Sequence, residues 1–262
     1  MDKRHEFVGK VRKYQPLILI IILVLIIIAI IYVLYPVLTG KDALLVWDSL
    51  PFLLEGAVLT VEISLVAIMF GLGLGIVVGL ARVSKNRMIY GMSTVYIEVI
   101  RGTPLIVQIF IWAFVVPQII GYPFPSMLAG LIALGMHSSA YQGEIFRGGI
   151  QAVPTGQYEA ARSLGVPHLP TMLYVILPQA FRNALPALNN EFIIVIKDSS
   201  LLYAIGVFEL FARGSNLAGV TFLPIPFYLG VAIIYLTLTL TLSRSLALIE
   251  KKIQIPGLGV SA

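Results

Sequence analysis

The stretch NNEFIIVIKDSS, Asn189 to Ser200, places ionisable side chains in surroundings apolar enough for lipid. Glu191, Lys197 and Asp198 carry charge, while Asn189, Asn190, Ser199 and Ser200 are polar. Charges inside a span are costly, and they usually face a bundle interior or a water-filled cavity. On a helix with Asn190 at 0°, Glu191 falls at roughly 100°, Lys197 at roughly −20° and Asp198 at roughly 80°. All four therefore fall in one wedge of about 120°, a polar stripe along one helix face. An acid and a base together suit a zwitterion, because an ammonium seeks a carboxylate and a carboxylate seeks a cation or N–H donors. Glu191 or Asp198 can take the ammonium, Lys197 the carboxylate, and Asn190, Ser199 and Ser200 can hydrogen-bond. The plainer alternative is an internal salt bridge, with Lys197 paired to Glu191 or to an acid on another helix and no ligand involved.

Other polar groups in apolar segments carry weaker signals. Glu98 and Arg101 are three residues apart and can pair on a helix. Gln108 is seven residues beyond Arg101 and shares its face, so the three either border a pathway or form a packing ion pair near a helix end. Glu62 sits among Thr60 and Ser64, again as a cavity-lining or a paired acid. His137 beside Ser138 is expected to be a satisfied buried histidine. Glu144 and Arg147, three apart, are expected to pair at a helix end.

The elements that must position these groups are membrane helices. The 262-residue chain is 58% hydrophobic and 12% charged, with a mean hydropathy of +0.95, which is not the composition of a soluble domain of this size. Cysteine is absent, so disulfides and thiolate metal sites are excluded. The three histidines, at 5, 137 and 168, are too scattered for a metal cluster. The net charge of +5 fits basic loops beside a membrane better than nucleic-acid binding. Leu17 to Leu34 is an uninterrupted apolar run, about the length that crosses roughly 30 Å of hydrocarbon. It follows a basic start but lacks a small-residue cleavage site, so an uncleaved helix is expected. Further spans are expected at Gly56–Ala81, Ile89–Ile119, Ser126–Phe146, Ala184–Phe208 and Ile225–Ile249. The fold class is thus all-α and integral to the membrane, with about six transmembrane helices.

Lys and Arg orient these spans. With the N-terminus inside, fourteen basic residues lie in inside segments: Lys3, Arg4, Lys10, Arg12 and Lys13; Arg82, Lys85 and Arg87; Arg147, Arg162 and Arg182; Arg244, Lys251 and Lys252. Only Lys41 and Arg213 fall outside, so both termini are expected in the cytoplasm. The expected organisation is a basic N-terminus at 1–16, an extra helix at 17–38, a core at 53–250 and a tail at 251–262. Gly71, Gly75 and Gly79 recur every four residues, which permits close packing of another helix, most simply one of the same chain.

The inside loop, about 147–183, is more than a connector. A short helix can begin after Pro154 with Thr155 as its cap, and Tyr158, Ala161 and Leu164 share one side. Gly165 can end it in the left-handed conformation. A second amphipathic segment from Thr171 leads to Pro178. Such a helical hairpin either rests on lipid or docks a cytoplasmic partner.

This run resembles the EAA signature of the membrane subunits of ABC importers. Glu159, Ala160 and Ala161 are followed by Gly165 and then by Val175, Leu177 and Pro178, with Val where the family usually has Ile. The segments SSAYQGEIFRGGIQAVPTGQYEAARSLG and VIRGTPLIVQIF resemble the polar amino acid branch, and the likeness extends over about Gly56 to Ile255. The resemblance implies a five-helix type I importer core, with the first span as an addition that anchors or packs. It implies that Glu159, Ala160, Ala161 and Gly165 form a coupling element: Glu159 as the charged contact to an ATPase, the alanines permitting close approach, Gly165 making the bend. It implies two ATPase subunits that hold ATP and Mg2+, an extracytoplasmic solute-binding protein, a homodimeric or heterodimeric permease and a prokaryotic inner membrane. The chain carries no G-x-x-x-x-G-K-[ST] phosphate loop, so it is not itself the ATPase. Substrate would be a polar or charged amino acid moved by alternating access, without covalent chemistry or a cofactor on this chain. An ion-coupled carrier would need an internal inverted repeat, and none is evident. A membrane enzyme would need a nucleophile, base or metal constellation, and none is evident.

Overall fold

The computed structural model describes residues 41–253. The expected first span, the basic N-terminus and most of the tail lie outside the described residues. The described chain is built from helices alone.

A short helix α1 (Lys41–Asp48) leads into α2 (Leu50–Ala81), which begins with a proline at its start. Proline suits that position because the first N–H groups of a helix have no internal partner. At roughly 1.5 Å per residue, α2 is about 48 Å long, enough to cross a bilayer with tilt. Helix α3 (Arg87–Gly102) is capped by the Asn86 side chain, which accepts from Met88 N and Ile89 N.

The expected single span Ile89–Ile119 is broken. The next piece comprises α4 (Leu105–Phe110), a π-type turn and α5 (Val116–Ile120), and it is bent 102° from α3. The physical cause is Pro104. Its ring pushes Thr103 out of the helical region, to φ −109° and ψ 140°, and it offers no N–H to continue the ladder. A left-handed Gly121 then ends α5.

Helix α6 (Ser126–Gln151) packs most extensively against α2. Methyl groups at Gly71, Gly75 and Gly79 would lie 2.7–2.8 Å from Gln142 Nε2, Gln142 Cβ and Phe146 Cβ. The glycine stripe therefore seats α6 on α2 within one chain, as its spacing predicts. Gly73, between them, faces open space.

The hairpin comprises α7 (Thr155–Ser163) and α8 (His168–Thr171). Pro154 precedes α7 as its cap residue and Thr155 makes no side-chain cap, contrary to expectation. Through a π-type turn, α8 runs into α9 (Leu177–Asp198). The expected fifth span Ala184–Phe208 thus starts earlier, at Leu177. It also changes character at Ser199, where a 3-10 segment (Ser199–Ile205) begins and a left-handed Gly206 closes it. Helix α10 (Leu210–Thr221) folds back on the bundle, and α11 (Pro224–Ile253) completes it.

The main core joins α2, α4, α6, α9 and the 3-10 segment through Ile63, Ala67, Ile109, Ala133, Leu134, Val195 and Leu202. Among the described residues, α2 and α11 (to Glu250) are long and apolar enough to cross a membrane, and the bent α3–α5 pair adds a third if it is one span. Helices α6 and α9 are of span length but carry the polar groups of the site.

Candidate functional site

Helix α9 divides the expected polar stripe between its neighbours. Glu191 points inward and is only 4% exposed. Its Oε1 accepts a 2.9 Å hydrogen bond from Ser138 Oγ on α6. Ser138 Oγ in turn accepts from Gln142 Nε2 at 2.9 Å. Asp198 repels the Glu191 charge and Arg101 attracts it, the latter without closing to a salt bridge. Arg101 lies over the Tyr141 ring at 4.8 Å, and Tyr141 packs against His137. Two atoms in this region, His137 Nδ1 and Gln142 Oε1, are buried without a partner. So His137, expected to be satisfied, has one orphaned nitrogen.

Lys197 and Asn190 turn away from that interior. Lys197 is exposed and lines a groove of about 540 Å3 with Ser200, Phe211, Tyr228, Val231, Ala232 and Tyr235. Asn190 is exposed in a second groove of about 200 Å3, where its neighbour Asn189 donates to Glu250 at 3.3 Å. Ser199 is buried and donates to Ile196 O. Helical angles alone grouped Asn190, Glu191, Lys197 and Asp198, but the two edges of that wedge, at Lys197 and Glu191, are about 120° apart. That separation lets α6 cover one edge while α11 approaches the other. No Lys197–Glu191 salt bridge forms; Lys197 and Asp198 interact as sequence neighbours.

The upstream trio also separates. Glu98 and Arg101 are exposed and do not pair, since Arg101 stacks on Tyr141 instead. Gln108 is 7% exposed, and its Nε2 donates to Ile100 O, Thr103 O and Thr103 Oγ1 at 2.7, 3.0 and 2.9 Å. It satisfies carbonyls freed by the Pro104 break and does not share a face with Arg101, because the helix bends between them. Glu62 is exposed on the side of α2 away from the core. Glu144 does pair with Arg147 at 2.8 Å and also with Arg82 at 3.0 Å, tying the end of α2 to α6.

At the hairpin, Glu159 and Ala160 are exposed while Ala161 is 6% exposed and turned into its own chain. Gly165 has φ +79°, a conformation that a Cβ makes strained, and it separates α7 from α8. Val153, Ile176 and Ala180, with Tyr158 and Val175 packed on them, form the small core beneath the hairpin.

Sequence reasoning missed Glu209. It is fully buried and accepts from Phe211 N, Ala212 N and Tyr235 OH at 2.8 Å each, and from Thr60 Oγ1 at 3.3 Å. Its position immediately before an amphipathic run was the available signal, since an acid there can cap a helix.

Membrane-length apolar helices, a helix broken at a proline, a helical hairpin and a buried acid within the bundle mark an all-helical membrane protein. The structure superposes on the amino acid ABC transporter described as crystallised with histidines, with TM-score 0.75 and 40% identity over 80% of this chain and 97% of that one. The inward-facing MetNI methionine ABC transporter shares the fold, at TM-score 0.71 and 19% identity over 79% of this chain and 99% of that one. In sequence, the chain is 37% identical to the arginine transport system permease protein ArtQ of Bacillus subtilis, over 79% of this chain and 94% of that protein. It is also 37% identical to the glutamine transport system permease protein GlnP of Escherichia coli K12, over 80% of this chain and 96% of that protein. Residues 71–255 match the model of the binding-protein-dependent transport system inner membrane component, and the chain belongs to that family. It is the permease subunit of an ABC importer and is not itself catalytic.

Proposed function

We propose that this permease moves a polar or charged amino acid inward across the cytoplasmic membrane, with Glu191 receiving the positive charge of the cargo. The observation that carries this reading is the pairing state of Glu191: a nearly buried acid with one neutral donor, Ser138, and no salt bridge. A buried charge is costly unless paired, so an acid held this way suits a cation that arrives and leaves. Asp198 lies close enough to share the task, and Arg101 can meet a carboxylate. Lys197 and Asn190, which open to other grooves, are assigned to the passage rather than to the same contact. The relatives' glutamine and arginine systems fit a cargo with an ammonium and a carboxylate.

Coupling is assigned to the hairpin. Glu159 and Ala160 face outward, where a partner ATPase carrying ATP and Mg2+ can meet them, and Gly165 fixes the bend. Two permease chains, identical or different, would work with two ATPases and a solute-binding protein. The distribution of basic residues supports a cytoplasmic position for the hairpin and both termini. The test is a panel of amino acids presented to the complex in proteoliposomes with its binding protein. Stimulated ATP hydrolysis and accumulation of a polar or charged amino acid are expected. A complex that hydrolyses ATP but responds to no amino acid would overturn the cargo assignment.

A further inference from the structure

Among the described residues, Glu209 is a buried acid that neither the cargo contact nor the hairpin uses. It stands before α10, at the end of the bundle away from the α7–α8 hairpin, with its backbone extended. Its carboxylate meets four donors: Phe211 N, Ala212 N, Tyr235 OH and Thr60 Oγ1. Thr60 Oγ1 also accepts from Leu210 N at 3.2 Å. A neutral acid would place an O–H among donors, whereas a carboxylate satisfies them all and suits a helix N-terminus. One side chain thereby joins α2, α10 and α11.

Two of its contacts reach the Lys197 groove. Tyr235 and Phe211 both line that groove, so the carboxylate that caps α10 also holds a hydroxyl in the groove wall. Helix α10 lies between two left-handed residues, Gly206 at φ +81° and Phe222 at φ +57°. For a bulky residue such as Phe222 that conformation is uncommon and is often found at segments that work. Between these turns the segment is fastened by polar bonds to both neighbours. Arg213 donates to Glu55 at 2.7 Å and to Phe52 O at 2.9 Å on α2. Apolar contacts can slide, but the directional bond that Tyr235 donates to Glu209 is either made or broken.

We propose that Glu209 is a positioning residue for transport: through Tyr235 it links the placement of α10 to the wall of the Lys197 groove. The link rests on the reading that this bundle carries cargo, and it makes α10 and α11 move together when the passage changes its access.

Glu209→Asp separates capping from the link. Aspartate still caps well but is one methylene too short for Tyr235. Tyr235→Phe removes the same bond from the other side and keeps the ring. Both variants and their double are assembled with the ATPase in proteoliposomes, and melting temperature, ATP hydrolysis without cargo, and uptake are measured per complex. Each single variant is expected to raise cargo-independent hydrolysis at least threefold and lower uptake at least fivefold. The double should match the worse single within twofold, because both remove one interaction. Singles within twofold of the parent, effects that multiply in the double, or losses that merely follow melting temperature would overturn the proposal. Should Glu209→Asp fail to assemble, Tyr235→Phe with Thr60→Val decides in the same way. If the parent takes up no amino acid, the cargo assignment fails, while cargo-independent hydrolysis still tests the link.

Discussion

Ser138 and Glu191 meet across the α6–α9 interface, with Ser138 Oγ donating to Glu191 Oε1 at 2.9 Å. The bond gives the acid one neutral partner and leaves its charge without a salt bridge. A side chain kept for structure would be stabilised by its charge; one kept for a cargo would not. Glu191→Gln preserves shape and can still accept from Ser138. Its melting temperature in the assembled complex is therefore expected to equal or exceed that of the parent, and a fall of several degrees would assign the charge to structure instead.

Glycine contacts along α2 make a contrasting pair. A methyl group at Gly75 would stand 2.8 Å from Gln142 Cβ and 3.1 Å from Ser139 O, whereas at Gly73 it would meet nothing within 4 Å. Gly75→Ala should destabilise the fold by about 1–3 kcal/mol through overpacking. Gly73→Ala should leave it unchanged or slightly more stable, since alanine favours a helix. Thermal unfolding in detergent measures both.

Gln108 should behave as a structural residue. Gln108→Leu leaves the Ile100 and Thr103 carbonyls without this donor, and a lost partner in a buried site costs about 1–3 kcal/mol. Melting temperature is expected to fall while uptake per assembled complex stays within twofold. A selective loss of uptake at unchanged stability would return Gln108 to the passage.

The hairpin variants address coupling. Glu159→Arg reverses an exposed charge, and Gly165→Pro cannot adopt the observed φ of +79°. Both chains should insert in the membrane normally, yet uptake per ATP hydrolysed should drop at least tenfold. Undiminished uptake would contradict the role given to this segment.

Much of this was legible from residue order. The spacing of Gly71, Gly75 and Gly79 announced a close helix contact within the chain, which the structure gives to α6, and Glu144 with Arg147 announced an ion pair that the structure extends to Arg82. Gly165 marked the hairpin bend. The local breaks were less visible. Pro104 was present in the sequence, but a run of apolar residues on both sides suggested one span, and the Gln108 side chain that reaches back to the carbonyls freed at the 102° bend gave no local signal. Long-range choices were hidden altogether. Helical angles placed Glu191 and Lys197 in one wedge, and only the packing of α6 and α11 around α9 assigns them to different surroundings. Glu209 went unnoticed because its partners, Thr60 and Tyr235, are 149 and 26 residues away.

The most direct measurement is ATP-driven uptake of a labelled amino acid by proteoliposomes containing the whole complex, with parent and Glu191→Gln compared per assembled complex. The parent should accumulate a polar or charged amino acid, and the variant should lose at least tenfold of that rate while remaining equally well assembled. Equal uptake by both would contradict the assignment of Glu191 to the cargo.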